Sequence, residues 1–493
     1  MKRDTLPCIL LAALAPLASA ADELSPYIDS AFGWNAGPLK QSDVPASLSK
    51  GLPAAQQHSR RQPGVPTPPP ILQQIRQSHQ GMSAGGWVFF PDSPQKFMPY
   101  LDGIFVPGNT CAEPCGFISS DPVSLSAQRL KRSLSGIGLQ YDLTISGNYT
   151  RITPQPETGV RRHFASMNNC LTGTWFLAKS SDNGSGVFLT FEADWGKGFN
   201  FNENWSSAQQ SIGSLSNPQG SLRGGHQIFV PNLALGTSLF DGQFVFMVGT
   251  LDVSNYLDQN AYSASWSGNL MNQSFNYNPS LPLQWANWGV LTAWQPTEHF
   301  YLMYAGTSAN TPVNHNPFNH ITSDNWLHVT EMGFIFDDVL GMGPGTYRFQ
   351  YTITSIDGQC GSGAAINFQQ QLGRNSRLGF FTRCGVMDEQ AAAVTGVKEA
   401  VTAGVVLQAP FTQRGWGSKS NRDQLALGFL WERAADSEQP CRYGSEYGIE
   451  LSAVAQITST FYLQPDIQYI IHPVHNTDKS GEWVFQIQGV FTF

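Results

Sequence analysis

Residues 447–456 read Tyr447-Gly448-Ile449-Glu450-Leu451-Ser452-Ala453-Val454-Ala455-Gln456. Residues 463–472 read Leu463-Gln464-Pro465-Asp466-Ile467-Gln468-Tyr469-Ile470-Ile471-His472, and residues 483–493 read Trp483-Val484-Phe485-Gln486-Ile487-Gln488-Gly489-Val490-Phe491-Thr492-Phe493. Tyr447, Ile449, Leu451, Ala453 and Ala455 form one uncharged row. Leu463, Pro465, Ile467, Tyr469 and Ile471 form a second, and Trp483, Phe485, Ile487, Gly489, Phe491 and Phe493 a third. The intervening positions carry Glu450, Ser452, Gln456, Gln464, Asp466, Gln468, His472, Gln486, Gln488 and Thr492. A period of two with one apolar face marks a two-sided β-sheet. In a soluble sandwich that face points inward; in a membrane barrel it meets lipid, and the polar face lines the interior.

Spacing favours the bilayer. Trp483 and Phe493 lie ten residues apart on one face. At ~3.3 Å per residue and ~45° of tilt they span about 23 Å, close to the ~25 Å apolar band between aromatic girdles. Tyr447 and Phe461 stand near strand ends in the same way. An aromatic last residue, Phe493, matches the signal read by the barrel assembly machinery.

The same texture extends upstream. Ile137, Leu139, Tyr141, Leu143 and Ile145 alternate with polar or small residues, as do Val187 to Ala193, Ala286 to Thr292, Tyr347 to Ile353 and Leu425 to Trp431. Alternation this long leaves no room for βαβ units. At roughly 22 residues per strand and connection, residues 136–493 accommodate about 16 strands, an even number as bacterial barrels require. The expected fold is all-β, a transmembrane antiparallel barrel with a Pro-rich N-terminal extension.

Composition agrees. Charged residues are 13% of the chain and Gly numbers 48; a soluble protein averages about a quarter charged. Residues 1–20 read as a secretory signal, with Lys2 and Arg3, an apolar run from Ile9 to Leu17, and Ala18-Ser19-Ala20 before the cut. Removing Lys2, Arg3 and Asp4 leaves 26 bases against 35 acids, net −9, which argues against nucleic-acid partners. Residues 21–135 form the expected periplasmic extension, with a polyproline stretch at Pro66-Thr67-Pro68-Pro69-Pro70. Cys111, Cys115, Cys170, Cys360, Cys384 and Cys441 permit disulfides in an oxidising compartment, Cys111 with Cys115 foremost. No metal or other cofactor is expected.

Several segments together resemble the carbohydrate-selective porins of Gram-negative outer membranes, the OprB type. They are Leu463 to Ile470, Gly379-Phe380-Phe381-Thr382-Arg383-Cys384-Gly385, Tyr347-Arg348-Phe349, Gly249-Thr250-Leu251-Asp252 with Tyr256 and Asp258, and Tyr447 to Gln456. Order and spacing match over about residues 135–493. Cys384 replaces a more usual Tyr, and the N-terminal hundred residues match poorly. The resemblance implies a passive outer-membrane channel, not an enzyme, for sugars and other small neutral solutes. Its partners would be outer-membrane lipid and lipopolysaccharide, small sugars, and the assembly machinery through the Phe493 strand, with a monomeric or homotrimeric channel.

Arg348, Gln350, Arg377, Arg383, Glu450, Gln456, Asp466 and Gln468 fall on inward faces and are the expected pore-lining, solute-contacting set. Amides offer paired donors and acceptors to sugar hydroxyls. Mixed acids and bases predict little ion selectivity, and Arg383 is expected near Glu450 or Asp466. A lumen Arg has an alternative task, bracing a folded-in loop. Trp285, Trp326 and Trp416 are candidate sugar platforms or lipid-interface anchors. Two other readings are open. One is a secreted soluble β-protein binding or cleaving carbohydrate, with Glu192 and Asp194 as paired acids. The other is a polymer exporter or a barrel enzyme using His299, His315, His320 or His328, although no Ser occupies a glycine elbow.

Overall fold

The computed structural model describes residues 123, 130, 134, 137, 139–153, 162–179, 186–199, 207–219, 228–240, 243–263, 269–283, 286–297, 299–309, 321–373, 378–408, 410–411, 423–438, 443–458, 460–476 and 480–492. The signal segment, nearly all of the 21–135 extension, Cys111, Cys115, Cys441 and Phe493 lie outside them. So do Arg377, Trp285, Trp416, His315, His320 and residues 412–422.

Sixteen strands close into one antiparallel barrel. In chain order they are β1 (Leu139–Thr153), β2 (His163–Lys179), β3 (Gly186–Gly198), β4 (Phe229–Leu239), β5 (Phe244–Leu251) and β6 (Asn287–Thr297). Then come β7 (Phe300–Ser308), β8 (Trp326–Phe336), β9 (Gly345–Ile356), β10 (Gln359–Gln371) and β11 (Leu378–Met387). The last are β12 (Val397–Gln408), β13 (Gln424–Ala434), β14 (Ser445–Gln456), β15 (Phe461–Ile471) and β16 (Gly481–Thr492). Two short helices, α1 (Ser207–Ile212) and α2 (Glu389–Thr395), sit in connections. Strand β1 pairs with β16 from Thr144↔Thr492 to Thr153↔Trp483, so no edge is left to template aggregation. No helix among the described residues is long and apolar enough to cross a membrane; this fold crosses with strands.

The outward rows are those read from the sequence. Leu451 is flanked by Leu427 and Ile467, and all three are exposed. Tyr469 packs on Trp483 at one end of the last hairpin (4.6 Å between centroids), and Phe461 on Phe491 at the other (4.4 Å). These are the two aromatic girdles. The rim with both barrel ends carries short turns such as 298–299 and 457–460, the periplasmic pattern. The other rim carries 199–228 and 252–286 and faces outward. Pro465 lacks an N–H, and the β14–β15 ladder has no pairs between Ser452↔Asp466 and Ala455↔Leu463.

The interior departs from the expected uniformly polar wall. The inward rows of β5 to β8 include Val245, Met247, Leu251, Leu291, Ala293, Tyr301, Met303, Ala305, Leu327 and Val329 beside polar Asn287, Thr307 and Glu331. These apolar residues belong to one buried cluster that includes Val253, Tyr256, Leu257, Leu281 and Leu283 of the connection after β5. That connection turns down into the barrel and lays an apolar underside on this wall.

Gly249 makes the turn-in possible. Its φ is +153°, and a Cβ there would stand 2.3 Å from the Leu233 carbonyl oxygen. Gly249→Ala combines backbone strain with overpacking, about 1–3 kcal/mol for each. The expected result is a lower urea midpoint for the barrel refolded in vesicles, by at least about 2 kcal/mol of stability. A midpoint equal to wild type would show that the close approach is unimportant.

Candidate functional site: the lumen and its inserted loop

The inserted segment 252–283 begins with a self-capped turn. The Asp252 carboxylate accepts from the Ser254 N–H (3.0 Å) and hydroxyl (2.6 Å). Asn255 then donates to Glu192 on β3, and Tyr256 meets Asn232 on β4. Burial raises the Tyr256 and Tyr262 hydroxyls well above their ordinary range, so both stay neutral.

Asp258 is the hub. It takes a left-handed backbone (φ 60°), which Asp tolerates better than most residues. Its N–H donates to Glu331 Oε2 at 2.8 Å. Its carboxylate accepts from Gln350 Nε2 (3.1 Å), Asn367 Nδ2 (2.8 Å) and the Asn278 N–H (2.5 Å). Arg383 Nε lies 3.0 Å from Oδ2, with both side chains fully buried. The two form a buried ion pair. The rest of the guanidinium collects loop carbonyls: Phe275 (2.7 Å), Asp258 (3.1 Å), Ser263 and Asn276 (3.4 Å). One fully buried cation thus ties the start of the loop to its return.

Neighbouring strands complete the grip. Arg348 Nε donates to the Tyr301 hydroxyl (2.9 Å), which donates to Glu331 Oε1 (2.7 Å). Gln369 Oε1 accepts the Ala261 N–H at 2.7 Å. Farther round, Glu450 accepts the N–H groups of Met271 and Asn272. Gln468 accepts from Asn272 Nδ2 (3.2 Å) and donates to the Pro218 carbonyl (2.9 Å). Gly379 leaves room for the Tyr262 ring, which a Cβ would approach within 2.1 Å. A second segment, 207–219, also enters: Glu446 accepts from the Leu215 N–H (2.9 Å), the Ser216 N–H (3.1 Å) and the Ser216 hydroxyl (2.6 Å). The two segments join where the Gln273 N–H donates to the Asn217 carbonyl at 2.9 Å.

Of the expected lining set, Arg348, Gln350, Arg383, Glu450, Gln456, Asp466 and Gln468 face inward and are buried. Arg348, Gln350, Arg383, Glu450 and Gln468 bond to the inserted segments or to their immediate anchors. Asp466 accepts from Gln468 (2.9 Å) and Gln486 (3.3 Å), while Gln456 closes the 457–460 turn through the Thr458 carbonyl. Two expectations are corrected. Arg383 pairs with Asp258, not with Glu450 or Asp466, because the loop lies between the walls. Trp326 alternates with inward Leu327 and therefore faces outward, 4.8 Å from the His328 ring, the position of an interface anchor and not of a sugar platform. The expected charge balance is lopsided: the buried charged set among the described residues holds eleven acids and two arginines.

Among the described residues, the two expected histidines stand apart. His299 bonds at Ile335 while His328 lies seven residues along the same strand, about 23 Å at ~3.3 Å per residue. Cys360 and Cys384 are free thiols. Cys170, Glu192 and Asp194 do converge within 4.8 Å, a donor set of metal-binding type. Hydrogen bonds already engage it, Cys170 to Glu192 Oε1 at 3.7 Å and Asn255 to Glu192.

The family model described as carbohydrate-selective porin, OprB family, matches residues 196–493. No curated protein matches the chain by sequence. The high-pH structure of Pseudomonas putida OprB is similar at 16% identity and TM-score 0.58, covering 74% of this chain and 96% of that one. A mutant of the Rh. blastica porin is similar at 10% identity and TM-score 0.44, covering 72% and 100%. The OprB structure supports the fold; the looser likeness carries no argument. With more than half its length matched by that family and its strands closed into a sixteen-stranded barrel, the chain belongs to the OprB family of carbohydrate-selective porins, and is an outer-membrane channel for sugars.

Proposed function

We propose that this barrel works by passive diffusion of small neutral solutes past a fixed internal constriction, with no catalytic step. The observation that carries the reading is the pinned segment 252–283, held from β8 to β15 by side chains that would otherwise line an open lumen. Such a loop narrows the passage without moving. An interior rich in amides suits hydroxylated solutes, and its excess of buried acids disfavours anions.

Arg348, Gln350, Arg383, Glu450 and Gln468 act in this reading by shaping the eyelet, a positioning role. Residues 1–20 export the chain. Residues 21–135 serve in this reading as a periplasmic extension. The C-terminal strand addresses the assembly machinery, and lipopolysaccharide surrounds the outer rim of a monomer or homotrimer.

Proteoliposome swelling tests the proposal. Neutral monosaccharides should enter vesicles containing the protein far faster than empty vesicles, and anionic sugars of similar size more slowly. Equal swelling with and without protein would overturn it.

A further inference from the structure

Among the described residues, seven Arg and Lys side chains are placed. Four of them meet carboxylates: Arg348 with Glu331, Arg383 with Asp258, Lys398 with Glu389 and Arg433 with Glu399. The other three, Arg151, Arg162 and Lys197, have no carboxylate at ion-pair distance, and all stand at the outer-rim ends of β1, β2 and β3.

Two of these three project outward. On β1, Thr150 and Ile152 are buried inside while Tyr149 and Arg151 are exposed outside. On β3, Glu192 and Asp194 are buried inside and Lys197 is exposed, opposite Met167 of β2. His163 is also exposed, directly opposite Arg151, with its Nδ1 2.6 Å from the Tyr149 hydroxyl. The outward rows of β1, β2, β3 and β16 contain no acid among the described residues. Trp483, opposite Thr153, marks the aromatic girdle at the same rim.

A cation on a lipid-facing wall is costly at the bilayer centre and nearly neutral at the interface, where an anionic headgroup makes it favourable. Arg151 and Lys197, two uncompensated cations placed at girdle height on the outer rim, are therefore complementary to a phosphorylated lipid of the outer leaflet. We propose that Arg151, His163 and Lys197 form a docking site on the outside of β1–β3 for the phosphate groups of lipopolysaccharide, with the Tyr149 and Trp483 rings against the acyl-chain boundary. The site rests on the outer-membrane placement of the barrel and involves no group of the lumen.

The test uses the full chain in detergent, titrated with fluorescent lipopolysaccharide. Arg151→Ala/Lys197→Ala should bind roughly 25-fold more weakly, about fivefold per cation removed. Arg433→Ala, an exposed cation four strands round from β1 and already paired with Glu399, should bind like wild type. Dephosphorylated lipopolysaccharide should lose the same factor, and millimolar inorganic phosphate should not compete. Heat-dependent gel migration verifies that each variant is folded. If the double variant does not fold, raising the salt on wild type replaces it, and binding must weaken. Unchanged affinity in the double variant, salt-insensitive binding, or displacement by free phosphate would each overturn the site. So would crosslinking between protomers through Met167→Cys in membranes, since the face would then be a subunit interface. Sugar swelling measured on the same variants separates the two readings: it should equal wild type, so loss of lipid binding and loss of transport are independent results.

Discussion

Arg383→Ala should release the inserted loop and turn a narrow, sugar-discriminating channel into a wider, less selective one. The side chain is fully buried, ion-paired at 3.0 Å to Asp258, and bonded to loop carbonyls that span residues 258 to 276. Removing one partner of a buried pair leaves the other charge uncompensated, which costs about 3–5 kcal/mol. At 1.4 kcal/mol per tenfold, the ratio of seated to released loop falls by a factor of about 10² to 4 × 10³. The barrel itself should survive, because its ladders do not involve this side chain. Asp258→Ala should have a similar effect, since it strands Arg383. The double variant should be less disturbed than the sum of the singles, because no orphan charge is left. Planar-bilayer recordings provide the measurement: larger unitary conductance and weaker block by sugars, together with new protease cleavage between residues 252 and 283. Unaltered conductance and cleavage in Arg383→Ala would remove the latch from the mechanism.

That latch marks where sequence reading reaches its limit. Strand existence, the two faces and the strand number were legible because period-two alternation in stretches such as 447–456 and 483–493 is local. Each residue's side is decided by its neighbour one bond away along the pleat. The partner of Arg383 is not local. Asp258 lies 125 positions upstream in a connection with no period, and the pairing exists only because the barrel closes around that connection. Only in an empty lumen would Arg383 reach Glu450 or Asp466.

A signal of the filled lumen was nonetheless present. Phe244-Val245-Phe246-Met247-Val248 and Phe300-Tyr301-Leu302-Met303-Tyr304 are apolar on both faces, unlike β14 to β16. A strand with one side in lipid has no reason to carry Val245, Met247 and Met303 on the other unless something apolar covers it. Read that way, β5 and β7 announce a packed interior on one side of the barrel. Val253, Leu257, Leu281 and Leu283 of the connection between β5 and β6 are its partners. The polar anchors Glu331, Asn367 and Gln369 gave no comparable sign, since a lumen-facing amide looks the same whether it meets water or a loop.

Leu451→Arg should destabilise the barrel strongly in a bilayer, and its neighbours show why the effect is diagnostic. Leu451 occupies the middle of β14, is 45% exposed, and sits between Leu427 and Ile467 on the adjoining strands. Its sequence neighbour Glu450 points the other way and holds two loop N–H groups. An arginine on the lipid side at mid-depth costs about 2–4 kcal/mol, and near an interface about 0–1. Tyr447→Arg, four residues toward the outer rim on the same face, should therefore cost much less than Leu451→Arg. Were that face bathed in water, an exposed Leu replaced by Arg would change stability by less than about 0.5 kcal/mol at either position. Reversible urea unfolding from lipid vesicles measures both variants in one assay. A steep dependence on depth follows only if the apolar rows of β13, β14 and β15 are solvated by acyl chains. Equal midpoints for wild type, Leu451→Arg and Tyr447→Arg would contradict the membrane placement of the strand pattern from which the fold was read.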